Sequence, residues 1–506
     1  MNIVQALECN AVRHPLKEAL LYQDQHYTYE EFNKTVNQFA HGLIENGVKK
    51  GDKVALMMKN SDYFIISYFA LAKIGAVIVP LNFRLLYKEL AYIIHHSESK
   101  HIITDTEFEE EMVKAIGNDI IIENRISVPN ANNQSFKSYH QCFSRNESNP
   151  SIDISNTDDL TIMYTSGTTG FPKGAVFDHE RIKNVILQTS LSLGYHPKER
   201  WLHFAPLFHC AQLHLCLLPQ LYLGGFGVIY SEFIPTTILS DIGKYKITNM
   251  LAVPTMYIAF LQIPKKNHFD FSSMQKFLYG AAPMSKEVVT KSIAYFGSSN
   301  FYSLCGQTET GPAAIILYPE DHDEHAGMSG KYAMLNTLVD IVTSTGESAK
   351  IGQIGELIFK APSIMKGYYK NPEATSQTIR NGWLYSGDLA VRNEEGYILL
   401  VDRSKDMIIS GGENIYSIEV ENTIATYKGV AEVAIIGTPD PNWGEVVTAI
   451  IVQKDGHSLT EEEIIAFTKQ NLAGYKCPKK VIFEDRLPRN ASGKLMKYQL
   501  RQKFKV

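Results

Sequence analysis

The sequence has few cysteines, and they form neither close pairs nor a recognisable metal site. They are Cys9, Cys142, Cys210, Cys216, Cys305 and Cys477. No CxxC pair and no histidine at metal-binding spacing accompanies them, which favours reduced thiols and argues against a structural zinc. The first twenty residues also lack the basic flank, apolar core and small-residue cleavage site of a signal peptide. We therefore expect a cytoplasmic protein.

Long hydrophobic runs and an excess of positive charge are missing as well. The most apolar window, residues 213–230, is interrupted by Pro219, Gln220 and three glycines, so it predicts a buried core segment rather than a membrane span. The formal net charge of −5 gives no reason to expect a nucleic acid partner. With 506 residues, 44% of them hydrophobic, the chain is long enough for two or more folded domains.

Helical and strand-like patterns alternate along most of the chain. Residues 29–46 carry apolar side chains at helical spacing, and a second helical pattern at 61–74 lies between strand-like segments at 53–58 and 76–80. Such alternation predicts an α/β fold in which helices cover both faces of parallel sheets.

The pattern of strand-like and helical segments changes twice towards the end of the sequence. Residues 327–388 combine short strands and turns, which predicts a small β subdomain. After a strand-like segment at 397–401 comes a compact α+β pattern. We therefore predict a large N-terminal domain at residues 1–402 and a small C-terminal domain at residues 403–506.

A glycine-rich segment at residues 164–174, YTSGTTGFPKG, follows a strand-like run at 160–165 and precedes a helical pattern at 179–193. We expect it to be a loop that joins a strand to a helix. Hydroxyls, backbone amides and a lysine gathered around one concavity would cradle an oxyanion, and a polyphosphate is the expected guest. The residues concerned are Thr165, Ser166, Gly167, Thr168, Thr169, Gly170, Lys173 and Gly174.

The segment is not a Walker-type phosphate loop, because Lys173 follows Pro172 and precedes Gly174 instead of a serine or threonine. Three or four of its residues alone would suit an ordinary surface loop. The whole string resembles the phosphate loop of the adenylate-forming superfamily, which includes acyl-CoA synthetases, firefly luciferase and the adenylation domains of peptide synthetases. The chain is most similar to the acyl-CoA synthetases. The resemblance implies that ATP binds here and that Thr165 and Lys173 act in catalysis.

Glu309 is a second candidate, at the end of a strand-like run. A carboxylate there could hold Mg²⁺, which prefers one or two carboxylates together with phosphate oxygens, although a lone glutamate is more often simply exposed. Residues 302–309, YSLCGQTE, resemble the Gly-x-Thr-Glu motif of acyl-CoA synthetases, with Cys305 as a variation before the glycine. The resemblance implies that Glu309 binds Mg²⁺ during catalysis and that Thr308 contacts the α-phosphate.

Three further segments resemble the parts of the family that hold adenosine. Residues 383–388, WLYSGD, imply that Asp388 accepts hydrogen bonds from the ribose hydroxyls, a task that suits the two oxygens of a carboxylate. Arg403 is implied as a second ribose contact. The third segment resembles the surface on which adenine packs, although a plain tight turn would explain it locally. It consists of Gly280, Ala281 and Ala282.

The resemblance also implies that the C-terminal domain rotates between two half-reactions. Lys405, two residues beyond Arg403, corresponds to the hinge, and Gly411 and Gly412 would face the thiol channel after rotation. Residues 488–494, PRNASGK, resemble the family pattern Pro-x-x-x-x-Gly-Lys. Lys494 would therefore reach the substrate carboxylate and the α-phosphate during adenylation and withdraw afterwards.

The implied activity is that of an AMP-forming acyl-CoA ligase that uses Mg-ATP and coenzyme A. In amino-acid-activating relatives an aspartate in the stretch that matches Phe208 and His209 binds the substrate ammonium, and no acidic residue occurs here. We therefore expect a fatty acid as substrate, with an aryl acid as the alternative. His209 resembles the family residue near the substrate carboxylate, but a core histidine bonded to backbone remains an alternative.

Three other functions stay open at this point. A carrier protein could replace coenzyme A as the acyl acceptor, and a luciferase-like oxygenase would share every motif. A non-catalytic nucleotide sensor is a third alternative, against which the retention of Lys173, Glu309, Asp388 and Lys494 argues. The sequence leaves open a peripheral membrane contact for collecting a fatty acid, and a monomer or a homodimer.

Overall fold

The computed structural model of the chain describes residues 1–118, 120–165, 172–264, 269–282, 284–403, 405–410, 413–489 and 495–504. The chain divides into two compact units. The first comprises Met1–Val339 and Phe359–Leu384, and the second comprises Asp340–Ile358 and Tyr385–Val506.

The elements of the described residues are as follows. The helices are α1 (Ile3–Arg13), α2 (Tyr29–Glu45), α3 (Asp62–Lys73), α4 (Tyr87–Ser97), α5 (Glu109–Ile116), α6 (His179–Leu193), α7 (Cys210–Gln212), α8 (Leu218–Leu223), α9 (Pro235–Lys244), α10 (Pro254–Leu261), α11 (Lys286–Phe296), α12 (His322–His325), α13 (Pro372–Thr378), α14 (Ser417–Ala425), α15 (Glu461–Asn471) and α16 (Lys497–Lys503). The strands are β1 (Glu18–Tyr22), β2 (Gln25–Thr28), β3 (Lys53–Met57), β4 (Val77–Pro80), β5 (Ser99–Asp105), β6 (Asn124–Val128), β7 (Lys137–Ser138), β8 (Asp159–Thr165), β9 (Lys173–Asp178), β10 (Arg200–His203), β11 (Phe226–Ile229), β12 (Asn249–Ala252), β13 (Lys276–Gly280), β14 (Phe301–Cys305), β15 (Ile315–Leu317), β16 (Tyr332–Ala333), β17 (Leu338–Val342), β18 (Gly355–Lys360), β19 (Gly367–Tyr368), β20 (Ile379–Arg380), β21 (Trp383–Arg392), β22 (Ile398–Arg403), β23 (Ile408–Ser410), β24 (Glu413–Ile415), β25 (Val430–Asp440), β26 (Gly444–Gln453) and β27 (Lys480–Phe483).

The first unit contains two large sheets. One has the strand order β16-β15-β14-β13-β12-β10-β11-β1-β2, and its six strands from β14 to β1 run parallel. The other has the order β19-β9-β8-β4-β3-β5-β6-β7. In the first sheet, β13 and β14 are parallel neighbours, so Gly280 and Cys305 end at the same edge. Ligands gather at the carboxyl edge of such sheets.

Helices cover both faces of the first sheet, as the alternating pattern predicted. Alternate strand residues face opposite sides. Met250 and Phe277 pack with α9, α10 and α11 in one apolar cluster. Leu251 and Leu278, one residue further along each strand, pack with α6 and with the helical segment at 210–223 in another. The α/β expectation is therefore confirmed.

The connection after the glycine-rich segment differs from the expectation. The segment joins β8 to β9, an antiparallel pair in which Thr165 lies opposite Lys173, and so it does not lead directly into a helix. Helix α6 begins only at His179, where Asp178 caps it by accepting a hydrogen bond of 2.8 Å from the N–H of Arg181. Residues 174–178 are all buried, and a fully buried strand lacks the alternation that would have revealed it.

The window at residues 213–230 is mostly buried, as expected of a core segment. It starts with a π-helical turn, Leu213–Leu217, between α7 and α8. Across the described residues, no helix combines the length and the apolar composition that a membrane crossing requires.

The second unit also contains two sheets. In the first, β21 pairs antiparallel with β22, and this pairing places Asp388 opposite Arg403. The second has the order β24-β23-β26-β25, with β27 parallel to β26. Helices α14 and α15 pack on one face of this second sheet and α16 packs on the other. The predicted boundary after residue 402 separates two parts of the chain that are expected to rotate against each other. The division into compact units does not test such a rotation, so this boundary stays a prediction.

Candidate active site

Glu309 lies in a tight turn just beyond β14 and is only 8% exposed. Its Oε1 accepts a hydrogen bond of 2.7 Å from the Tyr368 hydroxyl and a long contact of 3.5 Å from the Thr165 hydroxyl. No described residue donates to Oε2. Glycine is required at 311, which has a φ of +80° and whose Cβ would lie 2.7 Å from the Ser363 carbonyl oxygen. The turn therefore holds a buried carboxylate with one oxygen open to a ligand.

Lys173 brings a positive charge to the same place. It is the first residue of β9, and its Nζ lies 4.6 Å from the centroid of the Tyr368 ring. Strand β19 adds to the edge of β9, with Tyr368 opposite Ala175, and this pairing sets the position of the tyrosine. Tyr368 thus contacts a carboxylate with its hydroxyl and a cation with its ring face. Burial and the Glu309 carboxylate raise the pKa of Tyr368, so it remains a hydrogen-bond donor.

Tyr368 was missed in the sequence. It lies in a two-residue edge strand, and nothing local distinguishes it from the neighbouring Tyr369. Its pairing with Glu309 and Lys173 arises only when β19 and β9 come together. The residue directly before it is Gly367, whose φ is +156°. In the sequence this glycine is the local sign of a constrained backbone.

Thr308 and His209 are linked through Cys210. The Cys210 Sγ lies 3.2 Å from the Thr308 Oγ1, which joins the turn after β14 to the start of α7. Burial raises the pKa of the Cys210 thiol to about 12, so the thiol stays protonated. His209 caps α7, because its Nδ1 accepts a hydrogen bond of 3.2 Å from the N–H of Ala211. This bond orients the His209 ring, one residue before the Cys210 thiol that contacts the turn containing Glu309.

The turn after β13 carries backbone strain. Ala281 has a φ of +65°, which a residue with a side chain seldom adopts and which costs on the order of 1–3 kcal/mol. Gly280 cannot bear a side chain, since a Cβ would lie 2.3 Å from the Leu304 carbonyl oxygen. Ala281 and Ala282 are exposed. Strain kept at an exposed turn beside a carboxyl edge is typical of a binding surface.

In the second unit, Asp388 and Arg403 form an ion pair. The Arg403 Nε lies 3.0 Å from the Asp388 Oδ1. Ser386 orients the turn before Asp388, since its hydroxyl donates to the Leu357 carbonyl oxygen at 2.5 Å and accepts from the N–H of Asp388 at 3.0 Å. Burial is the main cause that lowers the pKa of Lys405, and the positive charge of Arg403 is the second.

The structure therefore brings together Thr165, Lys173 and Glu309 in the first unit, and Asp388 and Arg403 in the second. Several other predicted site residues lie outside the described residues, and their roles stay predictions. They are Ser166, Gly167, Thr168, Thr169, Gly170, Gly411, Gly412 and Lys494.

A buried polar chain lies next to the helix that follows His209. The Gln212 amide donates to the Nδ1 of His203 at 2.7 Å, and His203 contacts the Gln220 amide oxygen at 3.3 Å. Burial lowers the pKa of His203 to about 3, so the ring is neutral. The Gln212 Oε1 is buried and accepts no hydrogen bond within the described residues. A buried acceptor is expected to have a hydrogen-bond donor, which a water or a ligand could supply here.

The chain matches the AMP-binding enzyme family over residues 7–369 and the AMP-binding enzyme C-terminal domain over residues 419–494. It is 37% identical over 481 residues to a feruloyl-CoA synthase of an Amycolatopsis species, with 94% of each chain covered. It is 34% identical over 496 residues to a long-chain-fatty-acid–CoA ligase of Mycobacterium tuberculosis, with 95% of this chain and 94% of that one covered.

A solved structure agrees over nearly the whole length. The o-succinylbenzoate CoA synthetase of Bacillus subtilis, in complex with its acyl-adenylate intermediate, superposes with a TM-score of 0.88 at 30% identity and covers 98% of this chain and 97% of its own. In the same chain the Glu309 carboxylate, just after β14, and the Lys173 ammonium, at the start of β9, both contact Tyr368 of β19. The chain belongs to the AMP-binding enzyme family and is an AMP-forming acid–thiol ligase of the acyl-CoA synthetase type.

Proposed function

We propose that the enzyme converts a carboxylic acid into its coenzyme A thioester in two half-reactions. In the first, the acid's carboxylate attacks the α-phosphorus of ATP, which forms the acyl-adenylate and releases pyrophosphate. In the second, the thiol of coenzyme A attacks the acyl carbon, and the thioester, AMP and a proton leave. The observation that supports the first step most directly is the turn around Glu309, where an open carboxylate oxygen and the Lys173 ammonium flank one tyrosine.

The residues present fit a Mg²⁺ ion that accompanies ATP. Magnesium takes oxygen ligands and is usually held by one or two carboxylates together with substrate phosphates. The open Oε2 of Glu309 would hold it, while Tyr368 and Thr165 hold Oε1 in place. When bound, the ion neutralises phosphate charge. Lys173 would add a fixed positive charge to the same end of the nucleotide.

The adenosine contacts are proposed for the residues that the sequence indicated. Asp388 would accept hydrogen bonds from the ribose hydroxyls, and Arg403 both orients Asp388 and supplies a donor of its own. The exposed turn at Ala281 and Ala282 would receive the adenine ring. We assign Lys494 to charge stabilisation in the adenylation step.

For the acid we propose a fatty acid. The π-helical turn after His209 contributes Leu215 and Cys216 to an apolar cluster that also includes Leu304 and Ala313 at the edge near Glu309. No acidic residue follows His209 in α7 that could bind a substrate ammonium. The similarity to a long-chain-fatty-acid–CoA ligase favours the same substrate class. We further propose a cytoplasmic location, on the grounds of the scattered cysteines.

An aryl acid with a hydroxyl group is the second candidate, because of the polar chain that starts at Gln212. A phenolic hydroxyl could donate to the buried Oε1 of Gln212, which no described residue satisfies. A fatty acid would leave that oxygen without a donor, at a cost of about 1–3 kcal/mol. The similarity to a feruloyl-CoA synthase is consistent with this candidate.

The test measures AMP and thioester formation with Mg-ATP and coenzyme A across saturated fatty acids, unsubstituted aryl acids and hydroxylated aryl acids. A thioester with fatty acids alone supports the first proposal. A preference for hydroxylated over unsubstituted aryl acids that disappears in Gln212→Leu supports the second. Pyrophosphate release without any thioester would overturn the proposed acceptor and point to a carrier protein.

A further inference from the structure

The helix that follows Lys494 is anchored on a sheet of the second unit. Leu500 of α16 packs in an apolar cluster with Ala434, Ile436 and Ile450. Just before the helix, the N–H of Met496 donates to the Pro488 carbonyl oxygen at 2.8 Å. Arg489 and Leu495 form an antiparallel bridge across the segment at residues 490–494. Both ends of the segment that contains Lys494 are therefore held by the fold.

Lys497, the first residue of α16, enters a buried polar network. Its Nζ lies 2.7 Å from the Glu421 Oε1 and donates to the Ser417 Oγ at 2.6 Å. Ser417 in turn donates to Asp402 twice, from its N–H at 2.5 Å and from its hydroxyl at 3.0 Å. Asp402 precedes Arg403 directly. The network thus runs from the helix after Lys494 to Asp402, three residues before the predicted hinge at Lys405.

Arg501 makes a second link one helical turn further on. Its Nη2 lies 2.7 Å from the Oδ1 of Asp406, on the other side of the predicted hinge. The N–H of Asp406 donates to the Arg403 carbonyl oxygen at 2.9 Å, which closes a turn around residue 405. Helix α16 is therefore linked to the chain on both sides of Lys405, through Ser417 to Asp402 and directly to Asp406. Lys497 and Arg501 lie four residues apart and so project from one face of the helix.

A third ion pair of the same helix differs from these two. Lys503 lies 2.6 Å from Glu484, which follows β27 and is remote in sequence from the hinge. Its side chain is 57% exposed, whereas that of Lys497 is 10% exposed. Lys503 therefore provides a matched control, because it is a lysine on α16 that pairs with a glutamate and does not contact the hinge residues.

We propose that Lys497 and Arg501 are positioning residues that fix α16, and with it the segment carrying Lys494, to the two sides of the hinge at Lys405. This inference rests on the roles proposed above for Lys494 and Lys405. Loosening either link would leave Lys494 present but misplaced, and catalysis by a positioned charge is sensitive to displacements of about 1 Å.

The test compares Lys497→Met and Arg501→Met with Lys503→Met in the full chain. Adenylation is followed by ATP–pyrophosphate exchange, and the second half-reaction by thioester formation from supplied acyl-adenylate. We expect both hinge-linked variants to lower kcat for exchange at least tenfold with little change in KM for ATP, and to leave thioester formation within about twofold. Lys503→Met should resemble the wild type in both assays. Lys497→Arg should restore part of the lost exchange, because it keeps the charge beside Glu421.

The outcomes separate this inference from the proposed function. Loss of exchange in Lys494→Ala but not in Lys497→Met or Arg501→Met would overturn the positioning role and leave the function intact. Full exchange in Lys494→Ala would remove the role of Lys494, and the inference would fall with it. Equal losses in both half-reactions would mean a general structural effect and would also overturn it. If Lys497→Met fails to fold, Arg501→Met, whose pair is partly exposed, decides the question by the same criteria.

Discussion

The buried carboxylates of Glu309 in the first unit and Asp402 in the second differ in how many of their oxygens accept hydrogen bonds from the protein. Glu309 receives its donors on Oε1 alone, from Tyr368 and from Thr165, and Oε2 has no donor among the described residues. Asp402 receives donors on both oxygens, with Ser417 and the N–H of Arg403 on Oδ1 and the N–H of Ser417 on Oδ2. A carboxylate whose acceptor capacity is filled by the fold is part of the framework. A carboxylate that accepts hydrogen bonds from the protein on one oxygen only keeps its other oxygen available to a ligand.

Glu309→Gln should give the largest effect. Glutamine keeps an oxygen for the Tyr368 hydroxyl but removes the charge from the open side, so the fold should persist while adenylation falls about 10²–10³-fold, or roughly 3–4 kcal/mol. ATP–pyrophosphate exchange measures the loss, and thermal unfolding measures the fold. The exposed Glu287→Gln in α11 is the control. Exchange within threefold of the wild type would show that Glu309 does not serve the nucleotide.

Asp402→Ala tests the opposite member of the comparison. The substitution leaves the N–H and hydroxyl of Ser417 without acceptors and removes negative charge near Lys497, so the second unit should lose about 2–4 kcal/mol of stability. Hydrogen exchange of the α14 amides should accelerate, and that of the α6 amides in the first unit serves as the internal reference. If α14 exchanges at the wild-type rate, the filled carboxylate is not a structural element.

Asp105 extends the comparison to a partly buried carboxylate at the end of β5, in the large sheet that does not contain β14. Its Oδ2 accepts the N–H of Lys59 at 2.8 Å, and burial raises its pKa from 3.8 to about 7. The folded state therefore keeps a proton that the unfolded chain releases near pH 4, and this contribution to stability falls as the pH rises from about 4 to about 7. Allowing for its partial exposure, we expect a decline on the order of 2 kcal/mol.

The variant Asp105→Asn removes that titration and retains an acceptor for Lys59. Denaturant unfolding at several pH values between 4 and 8, at fixed salt, should show a smaller loss of stability for the variant than for the wild type. Parallel pH curves for the two proteins would mean that Asp105 ionises normally. In that case partial burial would not suffice to perturb a carboxylate in this fold.

Much of the framework could be predicted because its signals are local. The helix at 179–193 was predicted with the bounds of α6, since the apolar spacing that indicates it lies within the helix itself. Strand β9 was missed for the converse reason. Its buried run has no alternation, and its identity depends on pairing with β8 and β19.

The site was predictable where a motif carried it and not where tertiary pairing made it. Thr165, Lys173 and Glu309 were named from the sequence, and the structure brings them together. Tyr368 was not named, because its partners lie far away along the chain. The network of Asp402 and Lys497 was missed for the same reason, since charged residues near element ends usually face solvent until packing buries them.

Tyr368→Phe offers the finest test of the open carboxylate. The ring that faces Lys173 remains, and only the hydroxyl that donates to Glu309 at 2.7 Å is lost. A hydrogen bond of this kind contributes about 1 kcal/mol, so kcat/KM for Mg-ATP in the exchange assay should fall about fivefold. The matched control is Tyr369→Phe, which removes a hydroxyl that donates to the exposed Glu98 at 2.8 Å. Equal effects of the two substitutions would mean that the hydrogen bond from Tyr368 to Oε1 is dispensable for the position of Glu309.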